Sequence, residues 1–213
     1  EIPLRLVGSE MCIRDRYEYG VAIQTKSTRI LRDLDVLKNI NDKTKAIVQM
    51  TLTTYDESLC KILEPNVSST YERFEALMQF KKAGIPTIVW LTPILPFIND
   101  TEENIKGILD YCVQAGVKGI ICFGMGVTMR EGDREYFYHA LDKYFPGMKN
   151  KYIRTYGNSY NCPSPNNDRL LDFFRKYSTR YGIMHKTEEC FRYMYTFPQK
   201  YEQISFAEFL TNN

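Results

Sequence analysis

Polar runs follow three β-branched segments of the sequence, and these runs carry the side chains best suited to chemistry. The first run is Gln24–Ser27, the second begins at Thr53 and the third at Thr92. The ends of parallel strands meet at one edge of a sheet, so these groups predict a ligand site there. Within the first run, Lys26 could act as a base or Schiff-base nucleophile, which requires an amine pKa lowered by burial.

The elements that would position these side chains alternate strand and helix from about residue 20 to about residue 145. Strands are predicted at 21–23, 47–52, 87–91 and 119–123, and helical periodicity follows each of them. Helix caps are predicted from Ser or Asp before the helices and from Gly after one. These caps are Ser27 or Thr28, Asp56, Ser69 with Glu72, Asp100 with Glu103, and Gly116. This order predicts an α/β fold with a parallel sheet in one barrel-like domain.

Beyond Pro146 the alternation stops. A loop containing Gly157, Pro163 and Pro165 is predicted, followed by a helix from about 167 to 181, as an appended region facing the substrate. Residues 149–186 hold eight Lys or Arg against two Asp, interleaved with Tyr. Such a surface suits a phosphate-bearing partner and could stack nucleic-acid bases. Buried amphipathic Tyr beside solvated charges is the alternative interpretation.

Composition restricts the class of protein. With 213 residues, 44% of them hydrophobic, the chain can form one sizeable core. Six widely separated cysteines match neither a zinc site nor a disulfide scaffold, which favours a reduced, cytoplasmic setting. The longest apolar stretch, 85–98, contains three prolines and is shorter than the roughly 20 residues of a membrane helix, so no membrane partner is expected.

Three further features have unremarkable interpretations. Cys112 lies on the apolar face of a predicted helix and is expected in the core. Gly124–Gly126 lacks the third glycine of a dinucleotide-binding fingerprint. His139 and His185 stand beside no Ser, Cys or carboxylate that would form a nucleophile–base pair.

Several segments nevertheless occur together in a characteristic order. They are QTKSTRILRDLDVLKNI, LTTYDESLCKILEPNVSSTYERFEAL, AGIPTIVWLTPILPFINDTEENI and REYFYHALDKYFPGMKNKYIRTYGNSYNCPSPN. Together they resemble the radical S-adenosylmethionine (SAM) enzymes related to spore photoproduct lyase, over about residues 17–205. Order and spacing make this resemblance more specific than any single motif.

The resemblance implies a partial (β/α)6 TIM-type barrel that lacks its first βα units and carries a helical and loop C-terminal extension. The implied boundaries are 17–148 for the barrel and 149–213 for the extension. In the family, an early C-x3-C-x2-C loop binds a 4Fe-4S cluster that reduces SAM to a 5′-deoxyadenosyl radical. The present 213 residues contain no such motif.

Residues 1–16, EIPLRLVGSEMCIRDR, do not resemble the family. They look like translated sequencing-adaptor read-through and join family-like sequence near Tyr17. We therefore expect a non-native leader on an N-terminally truncated gene product. Such a fragment is expected to be inactive and marginally stable, because an opened barrel exposes a strand edge.

The resemblance also assigns candidate roles to individual residues. Lys26 would pair with the SAM carboxylate, hydroxyls on strand two would face the lumen, and Thr92 with Pro93 would meet the adenosyl group. The implied cofactor-binding positions are Lys26, Ser27, Thr51, Thr53, Arg73, Thr92 and Pro93. A thiol or phenol is the usual hydrogen-atom source in radical enzymes, which points to Tyr160 and Cys162 as catalytic candidates.

Each of these residues also has a plain structural interpretation: β-propensity for the threonines, loop geometry for Thr92 and Pro93, and surface charges for Lys26 and for an Arg73–Glu64 pair. The implied whole enzyme abstracts a hydrogen atom, with lyase or repair chemistry on a nucleic-acid or nucleotide-like substrate. It would draw electrons from a donor such as flavodoxin or ferredoxin. The alternative is a cluster-free module that binds a nucleotide or nucleic acid.

Overall fold

Four β-branched segments form a parallel sheet at the centre of the computed structural model, which describes residues 19–197. The strands are β1 (Val21–Thr25), β2 (Ala46–Thr51), β3 (Thr87–Trp90) and β4 (Gly119–Ile121), in the order β1-β2-β3-β4. All three neighbouring pairs are parallel. The predicted α/β fold with a parallel sheet is therefore confirmed. Among the described residues, β1 has a strand neighbour on one side only.

Eight α-helices and one 3-10 helix surround this sheet within residues 19–197. The 3-10 helix is Thr28–Asp33. The α-helices are α1 (Leu34–Lys43), α2 (Glu57–Leu63), α3 (Thr70–Lys82), α4 (Glu102–Ala115), α5 (Asp133–Tyr144), α6 (Met148–Tyr156), α7 (Asn167–Arg180) and α8 (Thr187–Tyr195). In the part of the chain that the structure describes, no helix is both long enough and apolar enough to cross a membrane.

Most predicted caps are confirmed. The Ser27 hydroxyl accepts a hydrogen bond from the backbone N–H of Arg29 at 3.2 Å, and the Asp56 carboxylate accepts one from Leu59 at 2.6 Å. Ser69 and Glu72 form a reciprocal capping box at the start of α3. Side-chain acceptors thus satisfy N–H groups that the first turn of a helix leaves without partners.

The predicted cap of α4 is wrong by one residue. Thr101, not Asp100, is the N-cap, and its hydroxyl accepts from the Asn104 N–H at 3.2 Å. Asp100 is buried and instead accepts a hydrogen bond from the Ser164 hydroxyl. At the other end of α4, Gly116 is the predicted C-cap, with a left-handed φ of 64°.

One face of the sheet packs against helices α1, α3, α4 and α7. Alternate strand residues such as Val48, Val89 and Ile120 are fully buried there. Cys112 on α4 and Phe174 on α7 belong to the same core. Burial of Cys112 confirms its predicted core position. Since α7 contributes to this core, residues 167–180 are part of the packed fold.

The opposite face of the sheet is covered by α8. Ile47, Ile88 and Ile121 pack against Cys190 and Met194 in a second core. The segment leading into α8 follows the β4 edge, because the Ile120 N–H donates to the Met184 carbonyl at 2.8 Å. At the end of α8, the Lys45 ammonium donates to the carbonyls of Tyr193 and Thr196. Helix α8 is therefore held against this face of the sheet.

Glycine at position 119 makes room for this covering segment. A Cβ there would lie 2.7 Å from Cys190 Sγ and 3.3 Å from Met184 Cβ. We expect Gly119→Ala to destabilise the chain by about 1–3 kcal/mol through overpacking, measured by urea unfolding. Combining it with Cys190→Ala should cost less than the sum of the two single changes. If the costs of the two single changes added exactly, Cys190 of α8 would not pack against position 119 in solution.

Residues 125–165 form a third packed unit beside the carboxyl ends of the strands. Strands β5 (Gly126–Thr128) and β6 (Asn161–Pro163) pair antiparallel. With α5 and α6 they enclose a small core that contains Leu141, Tyr152 and Cys162. The Tyr152 hydroxyl donates to the Pro96 carbonyl at 2.7 Å, which holds this unit, here called the strand-end module, against the loop after β3.

The strand-end module corrects one prediction. The stretch after Pro146 contains helix α6 and strand β6, where a loop was expected. Buried Tyr152 is the centre of the module's core and has a fully buried side chain. At this position the structural interpretation of the Tyr-rich region applies, since Tyr152 presents no surface for stacking. The predicted helix at 167–181 is confirmed as α7.

Candidate functional site

A cleft of about 470 Å³ opens at the carboxyl ends of β1, β2 and β3. Its polar side chains come from the strand ends and the loops that follow: Lys26, Thr53, Glu64, Asn66 and Asn99. The remaining wall is largely apolar and includes Tyr136, Phe137 and Tyr144 of α5, Ile62 of α2, and Pro65 and Val67 after α2. We call this the strand-end cleft. It combines an apolar wall with a few convergent polar groups, as ligand sites commonly do.

Three charged side chains form a chain of ion pairs at this cleft. Lys26, directly after β1, pairs with one carboxylate oxygen of Glu64. The other oxygen accepts from an Arg73 guanidinium nitrogen at 2.5 Å. The Lys26 side chain is 39% exposed, Glu64 is 11% exposed and Arg73 is fully buried. Only Lys26 thus keeps substantial contact with solvent, and it lacks the burial that a Schiff-base role requires.

Arg73 is placed behind Glu64 and does not line the cleft. Its Nε donates to the Ser68 carbonyl at 2.7 Å, and a terminal nitrogen donates to the Thr51 carbonyl at 2.9 Å. Together with the Glu64 contact, these bonds use both edges of the guanidinium fork. Arg73 therefore joins the end of β2, the loop before α3 and the carboxylate of Glu64.

The pKa of Glu64 is lowered from its ordinary value of 4.5. Burial alone would raise it, but the hydrogen bonds and charges of Lys26 and Arg73 outweigh burial and favour the carboxylate. At moderately acid pH the unfolded chain therefore binds a proton here that the folded chain does not. The stabilisation by Glu64 is fully present above pH 4.5 and is lost as pH falls through the lowered folded pKa.

We expect this lowered pKa to appear as acid sensitivity. The free energy of unfolding of the wild type should fall below pH 4.5 more steeply than that of Glu64→Gln, which has no proton to take up. The measurement is urea unfolding between pH 3 and 7. Glu75→Gln, an exposed position on α3, is the matched control and should retain the wild-type slope. Equal slopes for all three proteins would contradict the ion-pair chain.

Other cofactor-binding candidates lie on or near the same edge of the sheet. Thr51 and Thr53 are buried at the end of β2, and of these two only Thr53 lines the cleft. Ser27 is occupied as the cap of the 3-10 helix. The structure thus brings Lys26 and Thr53 together at the strand-end cleft and leaves Ser27 in a capping role.

Two asparagines that the sequence did not single out organise this edge. Asn99 Nδ2 donates to the Thr53 carbonyl at 3.0 Å, and Asn104 Nδ2 donates to the same carbonyl at 2.9 Å. Asn104 Oδ1 accepts from the Tyr55 N–H at 2.6 Å, while Asn99 Oδ1 accepts from Leu95. These amides fasten the loop after β3 to the loop after β2, so the cleft has a hydrogen-bonded floor.

A second cleft, of about 990 Å³, lies on the other side of Pro93. Thr92 and Pro93 line it from the end of β3, and Cys162 lines it from β6. Pro93 contributes to both clefts, so they adjoin. Exposed Phe123, after β4, adds an aromatic ring 5.9 Å from that of Trp90. Two predicted cofactor-binding residues and one predicted catalytic residue therefore share this second cleft.

Tyr160 and Cys162 differ in environment. The Cys162 thiol is buried, which raises its pKa. Tyr160 is about half exposed, and hydrogen bonds from Arg130 and Thr128 lower the pKa of its phenol. A protonated thiol retains the S–H bond that a hydrogen-atom donor needs, whereas a nucleophile needs the thiolate. Of the two residues, Cys162 lines the second cleft.

Metal ligands are missing from the described part of the chain. Residues 19–197 contain no group of three or more His, Cys, Asp or Glu that could hold a metal ion. Their five cysteines are free and buried. These are Cys60, Cys112, Cys122, Cys162 and Cys190. The donor set of these residues does not fit a 4Fe-4S cluster.

Sequence comparison finds distant relatives. No protein-family model matches the chain. The uncharacterized protein Rv2578c of Mycobacterium tuberculosis is 25% identical over 136 residues, which cover 64% of this chain and 39% of that protein. The uncharacterized protein ORF301 of Acidianus two-tailed virus is 30% identical over 122 residues, 56% of this chain and 39% of that protein. The chain spans about two fifths of the length of these curated relatives.

Structure comparison identifies the fold. A domain of the pyruvate-formate lyase-activating enzyme from Bacteroides vulgatus superposes with a TM-score of 0.55 at 12% identity, covering 87% of this chain and 93% of that domain. Streptococcus suis SuiB, solved with its precursor peptide SuiA, gives a TM-score of 0.50 at 12% identity, covering 95% and 39% of the two chains. The sheet and its helices thus share the fold of these proteins.

Proposed function

We propose that this chain carries the SAM-binding strand ends of a radical SAM enzyme. The two solved structures compared above are radical SAM enzymes, and the sequence resemblance indicates the same superfamily. The single observation that carries the proposal is Lys26, a solvent-accessible ammonium held by an ion pair at the mouth of a strand-end cleft. Spore photoproduct lyase-like enzymes are the closer group that the sequence motifs favour.

The residues present suit the amino-acid part of SAM. The Lys26 ammonium uses one N–H on Glu64 and retains two for a ligand carboxylate. Buried Thr53 and Asn99 add polar groups beside it. At about 470 Å³ the cleft is within the usual size range of ligand sites. Thr92 and Pro93, which line the adjoining cleft, are the proposed neighbours of the adenosyl group.

The residues described do not suit the 4Fe-4S cluster. A 4Fe-4S cluster would supply the electron that cleaves SAM to a 5′-deoxyadenosyl radical. The 213 residues do not contain the cysteine motif that would hold the cluster. Residues 19–197 do not contain any other group of side chains that could hold a metal ion. We propose that the cluster's ligands, and docking of an electron donor such as flavodoxin or ferredoxin, belong to protein outside this sequence. The chain alone is then expected to bind SAM without turning it over.

Binding of SAM tests this proposal. Isothermal titration calorimetry of the purified chain should detect SAM, and Lys26→Ala should weaken binding about tenfold or more through loss of a charge-assisted hydrogen bond. Lys38→Ala, an exposed lysine on α1, is the matched control and should bind SAM as the wild type does. If the wild type does not bind SAM, or Lys26→Ala binds it equally well, the proposed site is wrong.

The substrate class proposed for the whole enzyme is a nucleic acid or nucleotide, with lyase or repair chemistry. Support comes from α7, which exposes Arg169, Arg175, Lys176 and Arg180. Among these, the Arg180 guanidinium lies 5.6 Å from the centre of the exposed Tyr181 ring. Fluorescence anisotropy with a labelled single-stranded DNA should show binding that weakens with salt and with Arg175→Gln/Arg180→Gln. Salt-independent binding, or none, would contradict this substrate class.

The same α7 surface supports the second candidate, a cluster-free nucleotide or nucleic-acid binding module. The two candidates differ in their requirement for iron. Anaerobic reconstitution of the full natural protein, followed by iron and sulfide analysis, should yield about four of each per chain if it is the enzyme. A protein that remains iron-free yet binds nucleotide would favour the module.

A further inference from the structure

Glu64 stands between two cations, and each of its oxygens is engaged by one of them. On one side is Arg73, a fully buried side chain whose other nitrogens donate to the carbonyls of Ser68 and Thr51. On the other side is Lys26, whose side chain is partly in solvent. The rigid end of the ion-pair chain is therefore the buried one, and the adaptable end faces the cleft.

We propose that Glu64 is a positioning residue that aims the Lys26 ammonium at the carboxylate of SAM, with Arg73 as its anchor. This inference rests on the function proposed above. Lysine has a flexible four-carbon stem and would otherwise sample many rotamers, so a fixed carboxylate beside it reduces the entropy lost on ligand binding. Glu64 acts through Lys26, and its contribution extends only to ligands that carry a carboxylate.

The fixed position of Glu64 follows from its surroundings. Its N–H donates to the Cys60 carbonyl at 2.8 Å, so the backbone is held at the end of α2. Pro65 follows directly and restricts the backbone of the residue before it. Arg73 then holds the side chain from behind. Backbone and carboxylate are both fixed before any ligand arrives, as a positioning role requires.

The competing interpretation is that Glu64 merely neutralises Lys26. A carboxylate that competes with the ligand for the same ammonium would weaken SAM binding, and its removal would strengthen binding. A positioning role predicts the opposite, namely that removal of the carboxylate weakens SAM binding. Glu64→Asp is a second test of positioning. It keeps the negative charge but places the carboxylate one methylene farther from Lys26 and Arg73.

The experiment measures dissociation constants by calorimetry for two ligands, SAM and 5′-methylthioadenosine, which lacks the amino-acid part. For Glu64→Gln and Glu64→Asp we expect SAM affinity to fall five- to tenfold and methylthioadenosine affinity to stay within twofold of wild type. Unchanged methylthioadenosine binding also shows that each variant is folded. Tighter or unchanged SAM binding by Glu64→Gln would overturn the positioning role. A wild type that binds neither ligand would overturn the proposed function as well.

Discussion

Replacement of Arg73 by leucine is expected to lower the free energy of unfolding by about 3–5 kcal/mol, as removal of one partner from a buried ion pair typically does. The change leaves Glu64 with Lys26 alone and removes donors from the carbonyls of Thr51 and Ser68. Urea unfolding at neutral pH measures the loss. Leucine cannot replace these bonds, although it roughly fills the aliphatic part of the space.

Arg32 is the matched control for this experiment. It also forms an ion pair, with Asp33 at 3.1 Å, but its side chain is 53% exposed. Exposed ion pairs contribute little to stability, so Arg32→Leu should be nearly neutral. If Arg73→Leu were as mild as Arg32→Leu, the buried bonds of Arg73 would not persist in solution, and the anchor of Glu64 would be lost with them.

Asn104→Ala is expected to cost about 3 kcal/mol, because several buried groups lose hydrogen bonds together. The Asn104 side chain donates to the carbonyls of Thr53 and Asn99 and accepts from the Tyr55 N–H. Alanine can neither donate nor accept through its side chain, so these backbone groups are left without that partner. The thermal midpoint and the urea midpoint should both fall.

Asn150→Ala provides the comparison for Asn104→Ala, because Asn150 is an exposed helical position. The free energy of unfolding of Asn150→Ala should differ from that of the wild type by no more than about 0.5 kcal/mol. A small effect at Asn104 as well would mean that water replaces the missing amide. In that case the two loops at the floor of the strand-end cleft are less tightly joined than their hydrogen bonds indicate.

The sheet was predictable because its signals are local. Strands β1 to β4 are short runs rich in β-branched residues, and several of the helices begin with a side-chain cap such as Ser27, Asp56 or Ser69. Parallel pairing follows from the alternation of strand and helix. The error at Asp100 arose because Asp and Thr are adjacent and both are good caps. Only tertiary packing, through Ser164, assigns Asp100 to a different partner.

The strand-end module was missed for a different reason. Strands β5 and β6 have three residues each and pair across more than thirty intervening residues, so no local signal specifies them. Helix α6 did carry a signal. Met148, Tyr152 and Tyr156 recur at intervals of four and pack into the module's core. Burial of tyrosines is one of the two interpretations of this region, but their spacing of four residues, which indicates a helical stripe, does not enter the prediction.

The burial of Arg73 could have been inferred from its neighbours. Thr70, Phe74, Leu77 and Phe80 lie on one face of α3, and the spacing places Arg73 on that same face. An arginine within an apolar stripe requires a buried acid, and Glu64 was available nearby. The hydrogen bond from Arg73 to the Thr51 carbonyl, in contrast, depends on how β2 ends. That information exists only in the folded chain.

The covering of the second sheet face by α8 has a consequence for synthesis on the ribosome. All four strands of the parallel sheet precede residue 122, but Cys190 and Met194 of α8 are made some seventy residues later. During that interval Ile47, Ile88 and Ile121 have no helix to cover them. The nascent chain thus presents an apolar sheet surface until α8 leaves the exit tunnel, which makes this interval the one in which chaperones or self-association would act on it.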